Sequence, residues 1–227
     1  MKRLLPILLC CTLACNSENR KELPSSLIIA ETALDADSTT MSCVVLNYQY
    51  LDHHKFLNWI DGSDSLRNVY GLKAHSIFRI LNDTSRVLEL LTVDNIANGF
   101  EFANSSHLKE VAESSGFVGR PTVYLLNAVH MGNKDKSATC MLLQHDVRDF
   151  NTWRKDFEAY NKVNDNENMR ALCIFSTYKN PKKASVLMEI KNVEMAKMMA
   201  SSPELDSTMR AMGATTKPRM TLLEVWR

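Results

Sequence analysis

The sequence predicts an α+β chain in which one β-α-β-β-α-β unit occurs twice. Three observations predict it. First, sliding the chain against itself by 97 positions aligns Cys43–Leu126 with Cys140–Leu223 without a gap. Second, the identical pairs fall where a fold is specified: at caps (Asp52/Asp149, Asn95/Asn192), at glycine stops (Gly116/Gly213) and at apolar strand positions (Cys43/Cys140, Ile77/Ile174, Phe78/Phe175, Leu125/Leu222). Third, strands such as Val44-Val45-Leu46 and Met141-Leu142-Leu143 are apolar at successive positions, the pattern of a sheet covered on both faces.

The chain opens with Lys2 and Arg3, then an apolar run from Leu4 to Ala14. That run is too short for a bilayer core, which needs ~20 residues, and reads as a signal peptide. Its end, Thr12-Leu13-Ala14-Cys15, is similar to the lipobox of bacterial lipoproteins, with Thr12 where a leucine is usual. Residues 1–15 are therefore assigned to a lipoprotein signal peptide and Cys15 to lipidation. Acyl chains on Cys15 contribute ~0.8 kcal/mol per buried CH₂, so the expected partner is a lipid bilayer and the expected address is the bacterial cell envelope. Residues 16–41, polar at their start, read as a tether in which Leu27-Ile28-Ile29 could add a strand or pack on an edge. Removing Cys10, Cys11 and Cys15 leaves Cys43, Cys140 and Cys173. That odd number, set in apolar runs, suits small buried hydrophobes rather than a disulfide framework.

The first unit, 42–129, starts with a strand over Cys43–Tyr48. Asp52 caps a helix whose stripe holds Phe56 and Ile60. Strands Leu72–Ile80 and Arg86–Val93 flank a turn at Asn82-Asp83-Thr84-Ser85. Asn95 caps the next helix, Ser106 opens a short one with Glu110 a turn later, Gly116 stops it, and Thr122–Leu126 closes the unit. A polar linker occupies 130–137. The second unit, 138–227, repeats the order. Cys140–His145 is its first strand, and Asp149 caps a helix with Phe150, Trp153, Phe157 and Tyr160 on one stripe. Met169–Tyr178 and Ser185–Ile190 flank a turn read at Asn180-Pro181-Lys182-Lys183. Asn192 and Ser202-Pro203 start two more helices, and Arg219–Trp226 ends the chain. This is the order of the ferredoxin-like split unit. Two such units covering each other's open sheet faces make an internal version of a symmetric dimer, so no further oligomer is required.

Composition narrows the function. The net charge is +1 with no Lys/Arg block, so nucleic-acid binding is not expected. No Cys/His spacing suits a metal, and no phosphate loop or nucleophile elbow is present, so neither a metal nor a cofactor is expected.

The stretches His145-Asp146-Val147-Arg148-Asp149-Phe150-Asn151-Thr152-Trp153, Ser201-Ser202-Pro203-Glu204-Leu205 with Met209 and Gly213, and Gly116-Phe117-Val118-Gly119-Arg120-Pro121 together resemble the dimeric α/β-barrel proteins, in particular their antibiotic-biosynthesis-monooxygenase-like group. The resemblance covers both units. It implies two tandem ferredoxin-like modules packed sheet-to-sheet as an intramolecular dimeric α/β barrel. It also implies a ligand cleft between a module's sheet and helices, near the end of its first strand. Fold alone does not fix activity there. Carried onto this sequence, the candidate ligand-binding residues are His145, Asp149 and Trp153. His145 would be the proton carrier and the only candidate catalytic residue, Asp149 would orient its imidazole, and Trp153 would form an apolar wall. Each has a plainer reading as strand end, helix cap and core. Tyr48 and Phe56 stand at the matching positions of the first unit, where only Asp52 is kept. A haem-degrading activity would need an axial histidine on the second long helix of a unit, and neither Ile96–Ala103 nor Val193–Ala200 has one. The function read from the sequence is thus a membrane-anchored protein that binds a small apolar or aromatic molecule, or serves as an accessory. A cofactor-independent monooxygenase- or isomerase-like enzyme is the alternative.

Overall fold

Local capping chemistry sets the element boundaries. In the computed structural model, which describes residues 40–131, 139–163 and 169–226, the predicted Asx caps are formed. Asp52 accepts from Lys55 N, Asn95 from Ala97 N, Asp149 from Thr152 N and Asn192 from Met195 N. Each satisfies an N–H that the first helical turn leaves without an intrahelical partner. Ser105 and Ser202 cap the short helices by accepting from Leu108 N and Leu205 N. Ser105 thus takes the place expected of Ser106, which is the first helical residue. Gly116, at φ 72°, follows the end of its helix in the left-handed conformation that an L side chain resists.

The first half runs β1 (Met41–Gln49), α1 (His53–Gly62), α2 (Asp64–Val69), β2 (Leu72–Ile80), β3 (Asp83–Val93), α3 (Ile96–Asn104), α4 (Ser106–Ser114) and β4 (Thr122–Met131). The second runs β5 (Thr139–Asp146), α5 (Phe150–Val163), β6 (Met169–Thr177), β7 (Asn180–Ile190), α6 (Val193–Ser201), α7 (Pro203–Ala211) and β8 (Arg219–Val225). β2, β3, α3 and α4 recur 97 positions later with the same lengths. So do a register shift (Ala74/Ser76, then Ala171/Cys173) and an isolated bridge (Tyr50–Phe117, then Val147–Ala214). β1 takes in Met41 and β4 runs to Met131, past the expected boundaries at 42 and 129. Residues 1–39, 132–138 and 164–168 and Arg227, and with them the signal peptide, Cys15, almost all of the tether and most of the linker, lie outside the described residues.

Two expectations are corrected. The hairpin turns are the two-residue connections Leu81-Asn82 and Tyr178-Lys179, earlier than Asn82–Ser85 and Asn180–Lys183, because Ile80 pairs with Asp83 and Thr177 with Asn180. Pro181 therefore sits at the start of β7, where a missing N–H is tolerated. Tyr160 lies off the buried stripe, at 37% exposure, while Trp59 joins the stripe of α1.

The strands form one closed antiparallel barrel in the order β1-β3-β2-β8-β5-β7-β6-β4. Each half contributes four neighbouring strands in the same pattern, β4-β1-β3-β2 and β8-β5-β7-β6. Two seams join them: Phe78–Ile80 pairs with Val225–Leu223, and Leu126–Met131 with Thr177–Cys173. Closure leaves no long unpaired edge. Both faces of the strands are buried, which explains their continuous apolar runs. Cys43, Phe78, Leu90, Leu126, Cys140, Cys173, Phe175 and Leu223 fill the lumen. Val44, Leu46 and Tyr48 face the first-half helices, and Met141, Leu143 and His145 alternate likewise with the lumen-facing Cys140 and Leu142. The three described cysteines are buried and in no disulfide. The halves also exchange strand ends: Trp226 packs into the first-half core and Val129 into the second-half core. Among the described residues no helix is long and apolar enough to cross a membrane.

Candidate functional site

His145 lies near the end of β5, on the side covered by α5. Its ring meets Trp153 edge-on, with centroids 5.0 Å apart and planes at 70°. Trp153 is fully buried, stacks on Phe157 at 5.3 Å and tilts against Phe150 at 5.9 Å. Met141, Met188, Met209 and Met212 pack in the same cluster. Met198, by contrast, is 68% exposed. The structure thus brings His145 and Trp153 together as packing partners. Neither imidazole nitrogen nor the Trp153 indole N–H has a hydrogen-bond partner among the described residues. Burial pushes the His145 pKa down to about 4, against the opposing pull of the Asp146 carboxylate, so the ring is neutral at pH 7.

Asp149 does not orient that imidazole. Its Oδ1 accepts from Thr152 N at 2.8 Å, and this bond holds its carboxyl below the usual range. A carboxylate engaged with the first turn of α5 is held at the helix end, away from the packed ring.

The equivalent space in the first half holds charge. Glu89 on β3 is fully buried, and so is Tyr48 on β1. The Tyr48 hydroxyl donates to Glu89 Oε2 at 2.6 Å, and Arg67 Nη2 lies 2.5 Å from Glu89 Oε1. Arg67, on α2, is itself only 4% exposed. Its Nη1 donates to the exposed Asp64 Oδ1 at 2.8 Å and to the Ile60 carbonyl at 3.4 Å. The guanidinium therefore links a solvent-facing carboxylate to a buried one. Phe117 and Phe56 flank the phenol, at 4.9 and 5.7 Å. Burial raises the Glu89 pKa, opposed by the Arg67 charge and the Tyr48 hydrogen bond. Burial and the Glu89 charge together push the Tyr48 phenol well above its ordinary value. The phenol therefore keeps its proton and donates it in the hydrogen bond to Glu89. Among the described residues no group of three or more His, Cys, Asp or Glu side chains could hold a metal ion.

No protein-family model matches the sequence, nor does any curated protein. Solved structures do. A putative monooxygenase from Lactobacillus acidophilus superposes with a TM-score of 0.51 at 11% identity, over 81% of this chain and 93% of that one. An anthrone oxidase-like protein gives 0.58 at 8% identity, over 82% and 92%. A putative chlorite dismutase gives 0.53 at 12%, over 83% and 96%. At these identities the likeness is one of fold, and it spans both halves of the barrel. The chain has a dimeric α/β-barrel-like fold.

Within this dimeric α/β-barrel-like fold the two halves differ under their helices. Counted 97 positions on, Tyr48 becomes His145, Phe56 becomes Trp153, Glu89 becomes Val186 and Phe117 becomes Ala214. The sequence reading missed Glu89 and Arg67. One signal was available: in Val87-Leu88-Glu89-Leu90-Leu91, alternation puts Glu89 on the same face as the buried Val87 and Leu91, where an unpaired carboxylate is untenable. Its partner Arg67 comes from a separate helix, and nothing local in the sequence links the two.

Proposed function

We propose that the chain is a lipid-anchored, small-molecule-binding protein made of two fused ferredoxin-like modules. Its first module carries the working site and its second is a packed scaffold. The observation that supports this reading most is the Tyr48–Glu89–Arg67 network. Taking an ion pair out of water costs several kcal/mol per ion, and apolar replacement of such a pair is commonly neutral or stabilising. The second half offers a comparison, because Val186 stands at the matching place on β7 and packs in an apolar cluster under α5. The fold does not demand the charges, so we assign them to recognition of a ligand's polar group beneath α1 and α2. His145 and Trp153, filling their own cleft, serve as core. Acylated Cys15 tethers the barrel to a membrane of the bacterial cell envelope. Cys15→Ser is expected to move the protein from the membrane fraction to the soluble one.

The test is thermal melting of the full chain in detergent against a panel of aromatic and apolar compounds. At least one compound should raise Tm in the wild type and leave the Arg67→Met/Glu89→Val pair unmoved, since ligand binding to the folded state alone stabilises it. A panel without effect, or a double variant that keeps the response, removes the proposal. The Tyr48–Glu89 hydrogen bond favours a second reading, an isomerase- or monooxygenase-like enzyme in which this pair, rather than His145, moves the proton. Conversion of the stabilising compound to product would select it.

A further inference from the structure

The seam between β4 and β6 carries a cleft of about 370 Å³, formed by α3, the segment entering β4 and the end of the β6–β7 hairpin. Its chemistry is one-sided. Arg120 and Lys179 line it, no carboxylate does, and Phe100 and Tyr124 supply two aromatic faces. Lys179 Nζ sits 5.0 Å from the Phe100 ring centroid, and Tyr178 braces that ring edge-on at 5.4 Å. Arg120 Nη2 donates to the Ala103 carbonyl, which fixes the guanidinium at the rim. Asn104 and Thr177 add neutral polar groups, and the Asn104 amide is held by its bond to the Phe100 carbonyl at 2.8 Å. The position is set by the backbone: Tyr178 N donates to Leu125 O at 2.9 Å and ends the β4·β6 ladder, so the cleft opens just beyond it.

The other seam gives the comparison. At the positions related by 97 residues, Phe100 is replaced by Lys197, Tyr124 by Thr221, Thr177 by Ile80 and Lys179 by Asn82. A seam of this fold therefore forms without aromatic faces and without a cation on the hairpin. Tyr124 is 45% exposed, so it contributes little to the core. Clefts of a few hundred Å³ with aromatic walls and a few convergent polar groups are ordinary small-molecule sites. Two cations at the rim add hydrogen-bond donors whose bonds are strongest to an anion.

We infer that this cleft binds a planar aromatic carboxylate, its ring between Phe100 and Tyr124 and its anionic end on Arg120 and Lys179. The site shares no residue with the Tyr48–Glu89–Arg67 network and stands whether or not that network binds a ligand.

Isothermal titration of the full chain in detergent with naphthoate tests it, with naphthamide as the neutral control. Naphthoate should bind at one site, and naphthamide about tenfold or more weaker, since one charge-assisted contact is worth about that factor. Arg120→Gln/Lys179→Gln and Tyr124→Thr should weaken naphthoate by a similar factor while leaving Tm unchanged, because these side chains are exposed. Arg67→Met/Glu89→Val should bind naphthoate as the wild type does. Three results overturn the inference. They are no heat at millimolar naphthoate, equal binding of acid and amide, or binding lost in the Arg67/Glu89 variant but kept in the Arg120/Lys179 variant.

Discussion

Glu89 and His145 occupy comparable layers of the two halves and have opposite electrostatic fates. Glu89 has both carboxylate oxygens engaged, by Tyr48 and by Arg67. Removing Glu89 leaves the buried Arg67 with the exposed Asp64 as its remaining carboxylate partner, so Glu89→Val alone should cost about 3 kcal/mol, the low end for a broken buried pair. Adding Arg67→Met should recover most of that loss. Urea melts of the two single variants and the double measure the coupling, and additive losses would mean the pair is not a unit. His145 is buried without a hydrogen-bond partner among the described residues, and burial outweighs the pull of the Asp146 carboxylate, so its pKa falls from 6.5 to about 4. A depressed folded-state value means that the unfolded chain takes the proton first. The stability tied to His145 is present above pH 6.5 and is lost as pH falls toward 4, to a total of about 3 kcal/mol. His145→Leu should flatten the stability profile across that window. An unchanged acid limb in that variant would show that the imidazole is not so deeply excluded from water.

At the scale of elements, the features set by nearest neighbours were legible and those set by distant partners were not. Asp52, Asn95, Asp149 and Asn192 cap helices as expected, because a cap needs only its own chain two or three residues on. The hairpin turns were displaced toward the N-terminus, because strand pairing, not the preference of Asn180-Pro181 for a turn, decides where the reversal falls. The break between α1 and α2 was not foreseen. It brings Arg67 over Glu89, so missing the break meant missing the network. The C-terminal end of β8 shows the same dependence on distant contacts. Trp226 stacks on Phe56 and on His53, each at 5.7 Å, and lies under the Arg79 guanidinium at 5.5 Å. Aromatic pairs and cation–π contacts contribute roughly 0.5–1.5 kcal/mol each beyond area burial. Trp226→Ala should therefore destabilise the protein by about 2 kcal/mol in chemical denaturation. A loss within a few tenths of zero would mean that the strand end is ornamental to the first-half core.

For the molecule as a whole, the 97-position offset was readable because the same residues stand at caps and core positions in both halves. Closure of the barrel was implied by strands apolar on both faces, and the seams at β2·β8 and β4·β6 realise it in hydrogen bonds. What could not be read was the placing of the Tyr48–Glu89–Arg67 network. The eye goes to His145, Asp149 and Trp153 because they form a local cluster of chemically suggestive side chains. In the barrel, two of them are packing and the third is a cap, while the fully buried Tyr48–Glu89 pair with Arg67 lies in the other half. Val186 and Glu89 stand at matching positions of the two halves, and the proposed assignment of ligand binding to the first half rests on that difference.

Backbone chemical-shift mapping of a bound, stabilising compound on the isotope-labelled chain tests this division most directly. The account predicts perturbations gathered on the amides around Tyr48, Trp59, Arg67 and Glu89, with the His145–Trp153 layer unmoved. Perturbations centred on His145 and Trp153, with the Glu89 surroundings silent, would contradict it.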